Sequence, residues 1–217
     1  MALRPYAIQN CEIEQERIDF SVRKILAAKY WCGLNEYKSV KTDELYCQMQ
    51  TEDAQWLNYK LYDNTITLLK NAGGLIPIRP FMVKRIASVV INDIENNLFQ
   101  QTLKNYDQVD CYSLSKDASE DEINSLYKKL KKYDEVIVSV HNTTTNATKK
   151  FGITESMQIM VDKLSSIEKS IICFFGNPYT LEIFKKMQNY KAIILAYEDT
   201  YLPQYFAAQA MFGAGVF

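Results

Sequence analysis

Two styles of hydrophobic patterning divide the chain. From Ile13 to Gly33, IEQERIDFSVRKILAAKYWCG places Ile18, Val22, Ile25, Leu26 and Lys29 or Tyr30 along one face of a helix, with Gly33 where a left-handed cap belongs. TEDAQWLNYKLYDN repeats the helical period through Ala54, Leu57 and Leu61 and runs without a breaker into TITLLKN, a short β-branched stretch. Asn71-Ala72-Gly73-Gly74 then marks a loop. Beyond it, apolar strands alternate with helices. RIASVVIN precedes a helix over Asn97–Tyr106, and VDCYSLS precedes SEDEINSLYKKLKKYD, in which Ser119 and Glu122 have the spacing of a capping box. EVIVSVH leads to a helix over Thr154–Ile167, SIICFFGN to one over Tyr179–Tyr190, and KAIILAYED to one over Pro203–Phe212.

Several of these strands are near-continuous apolar runs, the mark of burial on both faces. Strand and helix in alternation with short connections predict an α/β fold: a three-layer α/β/α sandwich, mainly parallel, flavodoxin-like, preceded by N-terminal helices. The expected division is 1–60 for the leading helices and 61–217 for the sandwich. The units share no internal repeat.

Composition narrows the function classes. With 25 basic and 26 acidic side chains the net charge is −1, which gives no electrostatic reason to bind nucleic acid or an anionic membrane. No run reaches the ~20 apolar residues of a membrane span. Cys11, Cys32, Cys47, Cys111 and Cys173 lack metal-ligand spacing and have one histidine to help them, so no metal is expected, and Cys111 and Cys173 should sit inside strands. No glycine pattern fits a dinucleotide turn: NAGGLIP has a proline where a helix should begin and FFGNPY has one glycine. No cofactor is expected.

In a parallel sheet ligands gather at the carboxyl ends of the strands. Those ends are Asn92-Asp93, Ser115-Lys116, His141-Asn142, Gly176-Asn177 and Glu198-Asp199. The candidate ligand-binding residues are His141, Asn142, Thr143, Asn177, Glu198 and Asp199; none is assigned a catalytic role. His141 lacks a neighbouring nucleophile and reads as a structural ring, with Glu198 a residue able to approach it in the fold. Adjacent carboxylates at a strand end point apart, so Glu198 and Asp199 do not form a facing catalytic pair. Asn142 and Asn146 in N-x-T patterns suit turns closed by their own side chains.

RIDFSVRKILAAKYWCGL, followed by TITLLKN and LIPI, resembles the junction between barrel and second domain in family 3 glycoside hydrolases. VSVHNTT, FGIT, FFGNPY, LAYED and AAQAMFGA resemble that second domain in the bacterial β-N-acetylglucosaminidase-like branch. The resemblance implies a barrel in cis that holds the nucleophilic aspartate and a His/Asp acid/base pair, and a carbohydrate substrate of the N-acetylglucosamine type. In β-glucosidase-like members the acid/base glutamate follows the strand equivalent to EVIVSVH, whereas His141 to Thr154 here contains no Asp or Glu. The expectation is an accessory C-terminal domain, inactive alone, that contributes loops Asn142–Thr148 and Asn177 to a sugar cleft. A stand-alone carbohydrate-binding module and a flavodoxin-like small-molecule binder are the alternatives. A bacterial cytoplasm or periplasm suits the resemblance. The resemblance further implies a barrel upstream of residue 1 and a continuation beyond FGAGVF, so the apolar face of Ile13–Tyr30 is expected to lack its partner and to drive self-association; sedimentation of the purified chain as a strict monomer, with this helix protected, would count against that.

Overall fold

The computed structural model describes residues 10, 13–39, 42–79 and 84–215. By internal contacts the chain divides into two units, Met1–Thr51 and Glu52–Phe217. In the first, the apolar spacing produces helix α1, Gln15–Trp31, and a short helix α2, Leu45–Met49. Gly33 stops α1 at φ 75°, its N–H donating to the Tyr30 carbonyl at 2.9 Å. Neither helix buries a residue.

The second unit opens with helix α3, Glu52–Asp63, and strand β1, Thr67–Asn71. Then come β2 (Ile86–Ile91), α4 (Leu98–Leu103), β3 (Val109–Leu114), α5 (Glu120–Leu130), β4 (Glu135–Val140), α6 (Glu155–Leu164), β5 (Ser170–Phe174), β6 (Ala192–Leu195) and α7 (Tyr201–Met211). They form a six-stranded sheet in the order β1-β6-β5-β4-β2-β3, parallel from β2 to β6, with β1 antiparallel at the edge. Chain direction across the sheet reverses between β2 and β4, the switch point of an open parallel sheet.

Successive side chains of a strand point to opposite faces, so an unbroken apolar strand feeds two cores. Val136, Val138 and Val140 of β4 pack with Ile123, Leu126, Met157 and Val161 of α5 and α6, while Ile137 packs on the opposite face with Phe99, Leu103, Phe206 and Ala207 of α4 and α7. The expected three layers and mainly parallel sheet are therefore present. Helix α3 lies outside the second core, where Tyr59 meets the Phe206 ring edge-on at 4.8 Å.

Local signals set the helix starts. Asn97 accepts from the Gln100 N–H at 3.1 Å and Thr154 from the Met157 N–H at 3.1 Å. Ser119 and Glu122 form the reciprocal capping box, which holds the Glu122 carboxyl below its ordinary range. Cys111 and Cys173 lie within β3 and β5, and Cys11 lies outside the described residues.

One expected element differs. Tyr179–Tyr190 is not a continuous helix but two short 3₁₀ turns, Pro178–Ile183 and Met187–Asn189, with Phe184 extended between them. Tertiary partners have replaced helical ones: the Lys186 N–H donates to Asp162 at 3.0 Å, the Tyr190 hydroxyl to the Val161 carbonyl at 2.8 Å, and Phe184 is buried against Phe174.

Gln100 binds α4 to the sheet. Fully buried, its amide nitrogen reaches the Ser88 carbonyl at 3.0 Å and the Tyr112 carbonyl at 3.1 Å, and its oxygen accepts from the Asn96 N–H at 2.6 Å. Gln100→Ala leaves these groups unpaired beside a cavity and is expected to lower stability by roughly 2–5 kcal/mol in chemical denaturation; a loss under 1 kcal/mol would show that water substitutes for the amide.

Candidate functional site

The parallel strands deliver their carboxyl ends to one edge of the sheet. His141 follows β4, Phe175 follows β5, and Tyr197, Glu198 and Asp199 follow β6. His141 is fully buried, its ring stacked on Phe175 at 4.6 Å and 21°. Its Nδ1 lies 2.9 Å from Asp199 Oδ1, and Nε2 lies 3.4 Å from the Asn97 amide nitrogen. With the proton on Nδ1, the ring donates to Asp199 and leaves Nε2 as the acceptor that an amide N–H requires. Asp93 completes the surroundings, accepting from the Asn97 amide at 2.8 Å.

Asp199 is the acceptor on which this edge closes. Besides His141, its Oδ1 accepts from Gln204 at 2.7 Å, and its Oδ2 accepts from the Asn142 backbone N–H at 2.7 Å. Burial alone raises its pKa, but the hydrogen bond from His141, with the Asn142 and Gln204 donors, outweighs this and holds the carboxyl below its ordinary value. Asn92 and Asn142 exchange further bonds: Asn142 Nδ2 donates to the Asn92 carbonyl at 2.8 Å, and Asn92 Nδ2 to the His141 carbonyl at 3.0 Å. Both asparagines stand at positive φ, 65° and 51°, which their short polar side chains tolerate.

Above this network a cleft of about 400 Å³ opens, and Asn142, Thr143, Asn177, Glu198 and Asp199 all line it. Five of the six candidates from sequence thus meet on one surface, with His141 enclosed beneath. They present different groups. The Thr143 hydroxyl is turned to the Phe175 carbonyl at 3.2 Å and sits against Gly176, where an added Cβ would lie 2.2 Å from it. Asn177 accepts from the Tyr179 N–H at 3.0 Å through its oxygen, and its amide nitrogen has no partner among the described residues. Asn146 accepts from both the N–H and hydroxyl of Thr148, at 3.0 and 2.7 Å, the self-closed turn that the residue types predicted.

Glu198 and Asp199 diverge, as neighbours at a strand end must. It is Asp199, not Glu198, that reaches His141. Glu198 instead accepts from the hydroxyl of Tyr62, on α3. That hydrogen bond, with burial and the Glu198 charge, raises the Tyr62 phenol above its ordinary value against a smaller opposite effect of Thr200. Tyr62, Tyr197 and Gln204 carry no local site signal in the sequence, and Asn97 carries one only as an N-cap. Cys173, fully buried, is held well above the ordinary thiol range by burial and the Asp199 charge. Among the described residues no group of three or more His, Cys, Asp and Glu side chains is placed to hold a metal ion.

Because the folded-state pKa of Asp199 is depressed, its stabilisation is present above the unfolded value of about 4 and is lost as pH falls through the lower folded value. Asp199→Asn is expected to cost roughly 2–4 kcal/mol near neutral pH. The gap between variant and native protein in urea denaturation should narrow progressively below about pH 4; a pH-independent gap would refute the assignment.

No protein-family model matches the sequence, and no curated protein matches it. Solved structures do. A glycoside hydrolase family 3 β-N-acetylglucosaminidase from Paenibacillus sp. is similar with a TM-score of 0.62 and 20% identity, over 97% of this chain and 40% of that one. A β-glucosidase from Listeria innocua gives 0.65 and 16%, over 97% and 33%, and a β-glucoside phosphorylase gives 0.66 and 21%, over 98% and 39%. The chain thus spans two fifths or less of the length of these structures. At this identity the likeness shows the fold: the chain has the α/β fold found in part of a family 3 glycoside hydrolase.

Proposed function

We propose that this chain is the C-terminal α/β domain, with its leading helices, of a family 3 glycoside hydrolase of the β-N-acetylglucosaminidase-like branch. In this reading it forms one wall of the sugar cleft and supplies neither the nucleophile nor the acid/base. The similar structures include both β-N-acetylglucosaminidase and β-glucosidase activities, so the fold alone does not choose between them.

The observation that carries the choice is the chemistry of the loop after β4. From His141 to Thr154 it offers amides, hydroxyls, two lysines and an enclosed imidazole, but no carboxyl group. General acid catalysis requires a protonatable group within about 3 Å of the leaving oxygen, directly or through one water. The carboxylates on the cleft come from the turn after β6: Asp199 is committed to His141, Asn142 and Gln204, and one oxygen of Glu198 is held by Tyr62.

The strand order favours a second reading, a flavodoxin-like binder, because its switch point is where such folds hold ligands. The side chains there speak against it. Asn92, Asn142, Asn97 and Asp93, at the ends of β2 and β4, are bonded to one another and to His141, so a ligand there competes with hydrogen bonds already made.

The purified chain should not hydrolyse an aryl N-acetylglucosaminide, and should bind N-acetylglucosamine oligomers weakly, in the millimolar range by NMR titration. Measurable turnover that His141→Ala or Glu198→Gln abolishes would overturn the proposal. A preparation loaded with flavin or nucleotide would favour the second reading instead.

A further inference from the structure

The turn that leaves β6 is built at a conformational cost. Tyr197, an aromatic residue, stands at φ 59°, a region that side chains other than Gly, Asn and Asp rarely occupy. The turn is closed tightly, the Glu198 N–H donating to the Ala196 carbonyl at 2.6 Å. Such strain persists only where the surroundings over-determine it. Two anchors do so from outside the turn. The Tyr197 hydroxyl lies 3.2 Å from the Thr67 hydroxyl on β1, and Tyr62 of α3 donates its phenolic hydrogen to Glu198 Oε2.

The product is a carboxylate on the cleft wall with one oxygen held in place. No lysine, arginine or histidine among the described residues is within ion-pair distance of it. An ionised carboxylate has about four acceptor positions, so one phenol leaves most of them for a ligand. Elsewhere on the same cleft the Asn177 amide nitrogen has no hydrogen-bond partner among the described residues. Together they match a ligand that has donors of its own and a carbonyl or ether acceptor, and that carries no negative charge.

We propose that Glu198, oriented by Tyr62, determines the specificity of the cleft: it accepts O–H or amide N–H donors from a neutral polyhydroxyl ligand of the amino-sugar class and rejects anionic ones. The inference deepens the proposed sugar-cleft reading and rests on it. Hydrogen bonds to an ionised acceptor are roughly twice as strong as neutral ones, so Glu198 rewards hydroxyl donors. A phosphate or uronate placed there meets a like charge, with no cation among the described residues in ion-pair range of that carboxylate. Tyr62 is a positioning residue, since it acts on the ligand through the carboxylate it fixes.

The test is an NMR titration of the purified chain with an N-acetylglucosamine dimer, glucuronic acid and glucose 6-phosphate. The dimer should bind at least about tenfold more tightly than either anion. Glu198→Gln should weaken the dimer by roughly five- to twentyfold and bring the anions within about threefold of it. Tyr62→Phe should weaken the dimer by about two- to fivefold and keep the discrimination, because the charge remains. Loss of folded protein would lower every affinity together and would not narrow the ratio. If Glu198→Gln leaves dimer affinity and discrimination at native values, this inference falls while the sugar cleft stands. If the native chain binds no sugar, both fall.

Discussion

A single carboxylate organises the functional edge of this molecule. Asp199 receives His141 and Gln204 on one oxygen and the Asn142 N–H on the other, so it ties the end of β4 and the first turn of α7 to the end of β6. The strand between, β5, is caught in the same closure, because Phe175 lies beneath the His141 ring. Removing a carboxylate from water is expensive, and the arrangement is stable only because three donors meet it at 2.7–2.9 Å. The neighbours of these groups in sequence inherit their positions: Asn142, Thr143 and Glu198 line one cleft because Asp199 holds both loops.

Much of this was legible in the sequence, and the rest had a physical reason to be hidden. Strands buried on both faces write themselves as runs such as VIVSV and SIICF, and the caps at Asn97, Ser119 and Thr154 are local grammar, so the alternation of elements could be read directly. The segment Tyr179–Tyr190 could not, because Asp162 and Val161, a distant stretch of chain, take over its backbone and side-chain bonds. The convergence of Asn142, Thr143, Asn177, Glu198 and Asp199 on one cleft followed from a topological rule about strand ends, which needs no knowledge of individual contacts. Which of two adjacent carboxylates faces the imidazole depends on the twist of one turn, and no pattern of residue types encodes that. Tyr62 was invisible for a different reason: α3 reads from sequence as a leading helix, yet it packs on α7 and brings its phenol to the strand ends.

The switch point of this sheet is occupied by hydrogen-bonded side chains. Between β2 and β4 the diverging crossovers should leave a crevice for a ligand. Here two asparagines at positive φ bond to each other's backbone, while Asn97 joins Asp93 to the histidine. Once those groups are mutually satisfied, a ligand at that position must break hydrogen bonds that are already made, at about 1 kcal/mol or more each. The available surface lies further along the edge, over β5 and β6, where Gly176 keeps the wall low enough for Thr143 to pack and where the Asn177 amide and the Glu198 carboxylate stand.

What such a surface can do chemically follows from what its groups can exchange. The amides, the hydroxyls and the Glu198 carboxylate on the cleft orient a ligand by hydrogen bonds, while the histidine is enclosed, with both ring nitrogens engaged. The strain at Tyr197 fits binding and orientation. An unfavourable backbone conformation costs about 1–3 kcal/mol, and here it sits two residues from Asp199, the best-anchored side chain of the edge. That anchorage lets the turn hold an aromatic residue where a glycine would be easier. A glycine there would relieve the strain and give up the hydroxyl contact to Thr67, loosening the carboxylate beside it. The stability stored beneath the cleft is thereby converted into a fixed direction for the acceptor on its wall.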